Sequence, residues 1–233
     1  MKVSVGYLCV AVMLALVLNG TIAPVFAAAG DTATSSAANT AATALDKYLD
    51  NLKTLRASFL QTLADSQGRE IDRATGTLIV VRPGKFSWDI HPQTGDTDKG
   101  AGQLMVSDGR NLWFFDRDLE QVTVKPVDAA LSATPAMLLS GTVNVRKNFK
   151  VAPAGQREGL DWVLVEPQGA DADFKDALFG FANGELKRMI LEDKLGQTAT
   201  IMFDHIERNV PVSPQETTFT PPKGADLIGT PRK

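Results

Sequence analysis

Apolar positions along this chain follow two periods. One is near four residues at the start of the folded region, and the other is two residues over most of the rest. Leu45, Leu49 and Leu52 recur at spacings of four and three with Tyr48 beside them, while Asp46, Lys47, Asp50 and Lys53 cover the other face. That spacing predicts an amphipathic helix from Thr43 to about Lys53. Past Leu52 the pattern admits two readings. Leu55, Phe59 and Leu63 would continue a helix, whereas Leu55, Ala57, Phe59, Gln61 and Leu63 make an alternating strand; strand is favoured here.

Short strand-like runs follow at 76–81, 86–90, 104–107, 111–115, 120–125, 162–166, 174–181, 185–192 and 197–207. Asp108-Gly109 and Asn183-Gly184 are tight hairpin signals between neighbouring runs. Many strands spaced by turns, with few helices, predict an antiparallel sheet that curls or closes. One piece breaks the pattern. Ser132 to Gly141 reads as a short helix, with Thr134 able to cap it, Pro135 suited to the first helical position and Gly141 to the stop. Met137, Leu138 and Leu139 are too apolar for an exposed surface helix and must lie on something.

Arg82-Pro83-Gly84-Lys85-Phe86-Ser87-Trp88 joins two of the runs. Alternation puts Phe86, Trp88 and Ile90 on one face of a strand and Ser87 and Asp89 on the other. The result is an apolar wall with a five-donor cation at its edge. Trp113 and Phe115 share a face, which leaves Phe114 on the other, partly exposed or under a helix; these three are assigned to packing.

The first residues read as a secretory signal: Lys2, an apolar stretch from Val3 to Leu18, and small residues ending at Ala27. The stretch is too short for a comfortable membrane span of about 20 residues. Cys9 lies at the start of that stretch, not after it, which argues against a lipid-modified cysteine. Cleavage after Ala27 leaves 233 − 27 = 206 residues without a cysteine. It lowers Lys+Arg from 24 to 23 against 27 Asp+Glu, so the mature charge is −4. That balance argues against nucleic acid and against attraction to anionic lipid surfaces. Residues 28–42, rich in Ala, Thr and Ser, read as a disordered tether, and 43–233 as a single domain. An exported chain without disulfides, resting on its core alone, points to a soluble periplasmic protein.

Taken together, these residues resemble the LolA family of periplasmic outer-membrane lipoprotein carriers. The resemblance rests on Ala57-Ser58-Phe59-x-Gln61, Arg82-Pro83-x-x-Phe86-x-Trp88, Ser107-Asp108-Gly109-x-x-Leu112-Trp113-Phe114, Asp118-Leu119-Glu120-Gln121-Val122, Thr134-Pro135-x-Met137-Leu138-Leu139 and Phe219-Thr220-Pro221-Pro222-x-Gly224. One departure is the loop from Gly95 to Gly102, which looks longer than a compact connection. The resemblance implies a mainly β fold with some α: an incompletely closed antiparallel barrel of about 10–11 strands, with an α-helical lid over an apolar cavity. It implies a monomer without cofactor that receives the acyl chains of lipoproteins. An ATP-driven inner-membrane complex would load it, and an outer-membrane lipoprotein of similar fold would accept the cargo. Arg82 would close the empty lid, and Phe86 would sit near the mouth.

The residue types suit that task. A sixteen-carbon chain hides roughly 12 kcal/mol at about 0.8 kcal/mol per CH₂, so it needs an apolar container to cross water. Leu49, Leu52, Phe59, Phe86, Trp88, Met105, Met137 and Leu138 are the candidate lining, with methionine adapting to chains of variable shape. An arginine can hold a lid through exposed carbonyls at helix ends.

Other readings are a periplasmic hydrolase of lipid or polysaccharide, or a chaperone of unfolded outer-membrane proteins. Catalytic signals are thin. His91 falls in a turn and His205 in a strand, and neither Gly-x-Ser-x-Gly nor His-Glu-x-x-His occurs. Asp96-x-Asp98 with Gly100 faintly resembles a calcium loop whose later ligands are missing. Asp108, Asp116, Asp118 and Glu120 read as turn residues and solvated charges, although two acids from different strands could still meet as a hydrolytic pair.

Overall fold

The computed structural model describes residues 43–93, 102–127, 135–141, 145–169 and 174–232. The signal and tether expectations, the Asp96/Asp98 loop and Thr134 lie outside them. The elements in chain order are α1 (Ala44–Asp50), β1 (Thr54–Ala64), β2 (Glu70–Val81), β3 (Lys85–Pro92), β4 (Gln103–Asp108), β5 (Asn111–Asp116) and β6 (Gln121–Pro126). These are followed by α2 (Pro135–Ser140), α3 (Val145–Asn148), β7 (Phe149–Arg157), β8 (Leu160–Pro167), β9 (Phe174–Ala182), β10 (Glu185–Asp193), β11 (Thr198–Arg208) and β12 (Asp226–Ile228).

The strands form one open sheet of twelve, ordered β12-β6-β5-β4-β3-β2-β1-β11-β10-β9-β8-β7. Each pair is antiparallel except β12 with β6, which is parallel. Two of the twelve strands, β7 and β12, lie outside the runs that the sequence pattern picks out. β7 carries Pro153 and Gly155 and a register break between Pro153 and Gln156, so its alternation is blurred; its edge position tolerates the proline. β12 is three residues long and gains its definition from β6 alone. The ambiguity after Leu52 resolves to strand: β1 alternates strictly, with Leu55, Ala57, Phe59, Gln61 and Leu63 inward. β2 starts earlier than its apolar run, because the polar stretch from Glu70 pairs with the end of β1.

α1 is shorter than its apolar spacing predicts. Its start is fixed by a capping box: Asp46 N donates to Thr43 Oγ1 at 3.3 Å, and Thr43 N donates to Asp46 Oδ2 at 2.7 Å. It stops at Asp50 with Asn51 as its C-cap: Leu52 N still returns to Leu49 O at 3.2 Å, but the amides after it are taken up elsewhere. Lys53 N and Thr54 N donate to Asn209 Oδ1 at 2.8 and 3.4 Å, which turns the chain into β1.

Side chains from β1 through β5, from β7 through β11, and from α1 and α2 meet in one apolar cluster. Val151 of β7 and Leu112 of β5 belong to it though their strands lie far apart in the sheet order, so the sheet must curl around this face. A second cluster lies on the opposite face, where Val106, Trp113, Val122 and Val124 pack with Phe115 and Phe219. Phe219 lies 5.7 Å from the Trp113 ring and 5.9 Å from that of Phe115. Trp113 and Phe115 thus face outward under the C-terminal tail, while Phe114 packs against the main cluster.

Candidate functional site

The candidate site is the inward face of the curled sheet and the two short helices that pack on it. From β3, Phe86 and Trp88 point inward and Ile90 packs beside them, as alternation requires. β1 adds Phe59, whose ring meets Trp88 edge-on at 5.7 Å and Phe203 at 6.4 Å. β4 adds Met105, α1 contributes Leu49, the turn after it Leu52, and α2 contributes Met137 and Leu138. All eight candidate lining residues therefore fall in one contiguous buried cluster. Ala136, Met137, Leu138 and Leu139 of α2 are completely shielded. Helices of seven and six residues have little stability alone, so burial of such side chains, at roughly 1.5–3 kcal/mol each, holds them down.

Arg82 lies at the seam between the two helices. Its Nη1 donates to the carbonyl of Leu49 and, at 3.5 Å, to that of Leu52, both at the C-terminal end of α1. Its guanidinium also runs against Gly141 at the end of α2, where a Cβ would stand 2.6 Å from Arg82 Nε. The turn it begins is fixed on both sides. Gly84 N donates to Ser140 O of α2 at 2.8 Å, and the buried Ser107 Oγ donates to Gly84 O at 2.7 Å. A cation against two helix C-termini is electrostatically favoured. Burial lowers the Arg82 pKa from its ordinary value and nearby Asp50 opposes the shift.

Two further arginines hold α1, and local sequence gave no signal for either. Arg146 of α3 donates from Nη2 to Asp46 Oδ2 at 2.7 Å and from Nε to Asp46 Oδ1 at 3.3 Å. Arg208 of β11 stacks on the Tyr48 ring at 4.5 Å, bonds Glu185 Oε1 at 3.0 Å and reaches Tyr48 O at 3.5 Å. Tyr48 also packs on Phe181 at 5.5 Å, and burial pushes its hydroxyl pKa up. The Asp46–Arg146 and Tyr48–Arg208 pairs span 100 and 160 positions, beyond any local pattern.

Two of the acids weighed for catalysis, Asp108 and Asp116, serve turns. Asp108 Oδ1 accepts from Arg110 N and Asn111 N at 2.8 Å, and its Oδ2 accepts from Trp113 Nε1 at 2.8 Å. Asp116 Oδ1 accepts from Asp118 N and Leu119 N at 3.0 Å. His91 lies within β3, not in a turn, 3.2 Å from Asp89, because β2 continues far enough to pair with it. Ser58 Oγ and Asp204 Oδ2 both approach Nδ1 of His205, at 3.0 and 3.4 Å. Sharing one ring nitrogen, they cannot relay a proton through the imidazole. No group of three potential metal ligands occurs among the described residues.

The family described as outer membrane lipoprotein carrier protein LolA matches residues 50–220. An outer-membrane lipoprotein carrier protein of Dechloromonas aromatica is 40% identical over 185 residues, covering 79% of this chain and 86% of that protein. Its counterpart in Nitrosospira multiformis is 36% identical over 196 residues, covering 84% and 91%. A solved LolA superfamily protein of Nitrosomonas europaea aligns over 77% of this chain and 99% of its own, at 13% identity and a TM-score of 0.43, too distant to bear on function. With the family match running over most of its length, this chain belongs to the LolA family of outer-membrane lipoprotein carrier proteins.

Proposed function

We propose that this protein carries the acyl chains of lipoproteins across the periplasm. It takes them from an ATP-driven inner-membrane complex and gives them up to an outer-membrane acceptor of similar fold. The observation that carries this reading is an apolar interior roofed by two short helices, with an arginine at their seam that bonds the carbonyls ending α1 and packs against Gly141 at the end of α2. The interior offers the chains a dry surface worth roughly 0.8 kcal/mol per CH₂. Cargo that shares only its lipid needs no narrow polar contacts, and the methionines adapt to chain shape.

Delivery requires that binding be reversible. In this reading the chains enter where the helices now pack, and loading lifts them. The free energy of lifting is subtracted from the binding free energy. The closed, empty form therefore keeps affinity low enough for release. Arg82 sets much of that opening cost, and Phe86, fully buried beneath the roof, meets the chains first as the mouth opens.

The test is addition of the purified mature protein to spheroplasts making a tagged outer-membrane lipoprotein, beside a cargo whose acylated cysteine is replaced. Release of soluble one-to-one complexes with the acylated cargo alone supports the carrier reading. No release, or equal binding of the unacylated chain, refutes it.

A further inference from the structure

Among the described residues, two hydrogen-bond donors of the apolar cluster have no protein partner. They are Tyr48 Oη and Trp88 Nε1, the side-chain polar atoms of this cluster that are buried without a partner. Tyr48 is 2% exposed and Trp88 6%. They come from opposite parts of the site: Tyr48 from α1, which covers it, and Trp88 from β3, which walls it. Beside Tyr48, Arg208 lies over the ring face and bonds Glu185 Oε1, while Glu185 Oε2 and Arg208 Nε are likewise buried without a partner; none of them bonds the Tyr48 hydroxyl. A buried donor without an acceptor is a standing penalty comparable to a lost hydrogen bond. Phenylalanine would fill the Tyr48 site without it.

An acyl chain brings its own acceptor into an apolar site. It is attached through an ester or an amide, and the carbonyl oxygen follows the first methylenes out of water. Left unpaired there, that oxygen carries the same penalty as the orphaned donors. Resting on the carrier reading above, we infer that Tyr48 Oη and Trp88 Nε1 form a carbonyl-binding subsite: they donate to the ester and amide carbonyl oxygens at the heads of the bound chains. Donors unpaired in the empty form become paired in the loaded one, which favours loading of acylated over merely greasy ligands. The subsite gives a largely apolar cavity selectivity for acyl linkage without contacting the polypeptide, as cargo of varied sequence requires.

The experiment compares two synthetic lipopeptides of one sequence. One carries a diacylglyceryl cysteine with palmitoyl esters, and the other carries hexadecyl ethers in their place. Each is titrated against the wild type, Tyr48→Phe and Trp88→Phe, and the ester-to-ether affinity ratio is read within each protein, so that changes of packing cancel. The wild type is expected to favour the ester about 5- to 10-fold, the value of one net hydrogen bond, and each variant to bring the ratio toward one. Tyr48→Phe is expected to melt no lower than the wild type, since its hydroxyl has no partner in the empty form. Equal binding of both peptides by the wild type overturns the subsite while leaving the carrier reading intact, as does an ester preference that survives both substitutions. Binding of neither peptide overturns the carrier reading and the subsite with it.

Discussion

Arg146 grips Asp46 with two hydrogen bonds, at 2.7 and 3.3 Å, and so ties α3 to the first turn of α1. Arg82 holds the other end of the same helix through the Leu49 and Leu52 carbonyls. α1 is therefore fastened at both ends by side chains and along its length by apolar burial. Side-chain fastenings can be broken one at a time.

Arg146→Ala frees the start of α1. The pair is partly exposed, with side chains 33% and 22% accessible, so the expected loss is about 1 kcal/mol, or roughly fivefold in the open population. Binding of a hydrophobic dye to the cargo-free protein should rise by that factor. The effect should depend on pH. Burial raises the Asp46 pKa, but hydrogen bonds from Arg146 and Thr43 outweigh it and hold the carboxyl below its ordinary 3.8. A depressed carboxyl contributes stability that is fully present above the ordinary value and lost as pH falls through the lower, folded one. Wild type and Arg146→Ala should thus differ at neutral pH and converge in acid.

Arg82→Leu removes the donors at the seam and leaves the carbonyls at the end of α1 without a side-chain partner. The closed form should lose at least about tenfold in population, as expected for a charge-assisted bond. The variant should load acylated cargo and transfer it poorly to the acceptor, since opening no longer opposes binding. Arg82→Lys should fall between, because an ammonium lacks the planar fork. Normal transfer by Arg82→Leu would contradict this account of release.

Gly141→Ala should imitate the loss of Arg82 without touching it. Gly141 has φ +71, where an L residue is strained, and a Cβ there would meet Arg82 Nε at 2.6 Å and Nη2 at 2.8 Å. The guanidinium must move off its carbonyls. Dye binding in the empty form and slowed transfer should accompany each other in this variant, as in Arg82→Leu.

Phe219→Ala should separate stability from cargo binding. Phe219 packs on Trp113 and Phe115 in the cluster on the outer face. Its loss should lower stability by about 1–3 kcal/mol, the range for a partly buried aromatic. Affinity for acylated peptide at a temperature where the variant is folded should stay at the wild-type value.

The sequence made the wall legible because alternation is local: Phe86, Trp88 and Ile90 fall on one face of β3 whatever the rest of the chain does. Arg82 was legible as a cation at a strand end, next to a turn. What it bonds and packs against was not, since Leu49 and Gly141 lie on opposite sides of it in the chain. Two strands escaped notice for different reasons. Pro153 and Gly155 interrupt the alternation of β7, and β12 is too short to have one. The inward face of β5 could not be chosen from its run of three aromatics, because both faces of that strand are covered, one by the interior and one by the tail. Asp46–Arg146 and Tyr48–Arg208 depend on where the sheet brings distant residues.

Hydrogen exchange of the loaded protein tests the central claim most directly. A one-to-one complex with acylated cargo should show faster exchange than the empty protein in α1, Ala44–Asp50, and α2, Pro135–Ser140, while the amides of β1 and β2 stay protected. Such a pattern means that the helices lift to admit the chains. Unchanged protection of α1 and α2 in a fully loaded complex would place the chains elsewhere and contradict the account.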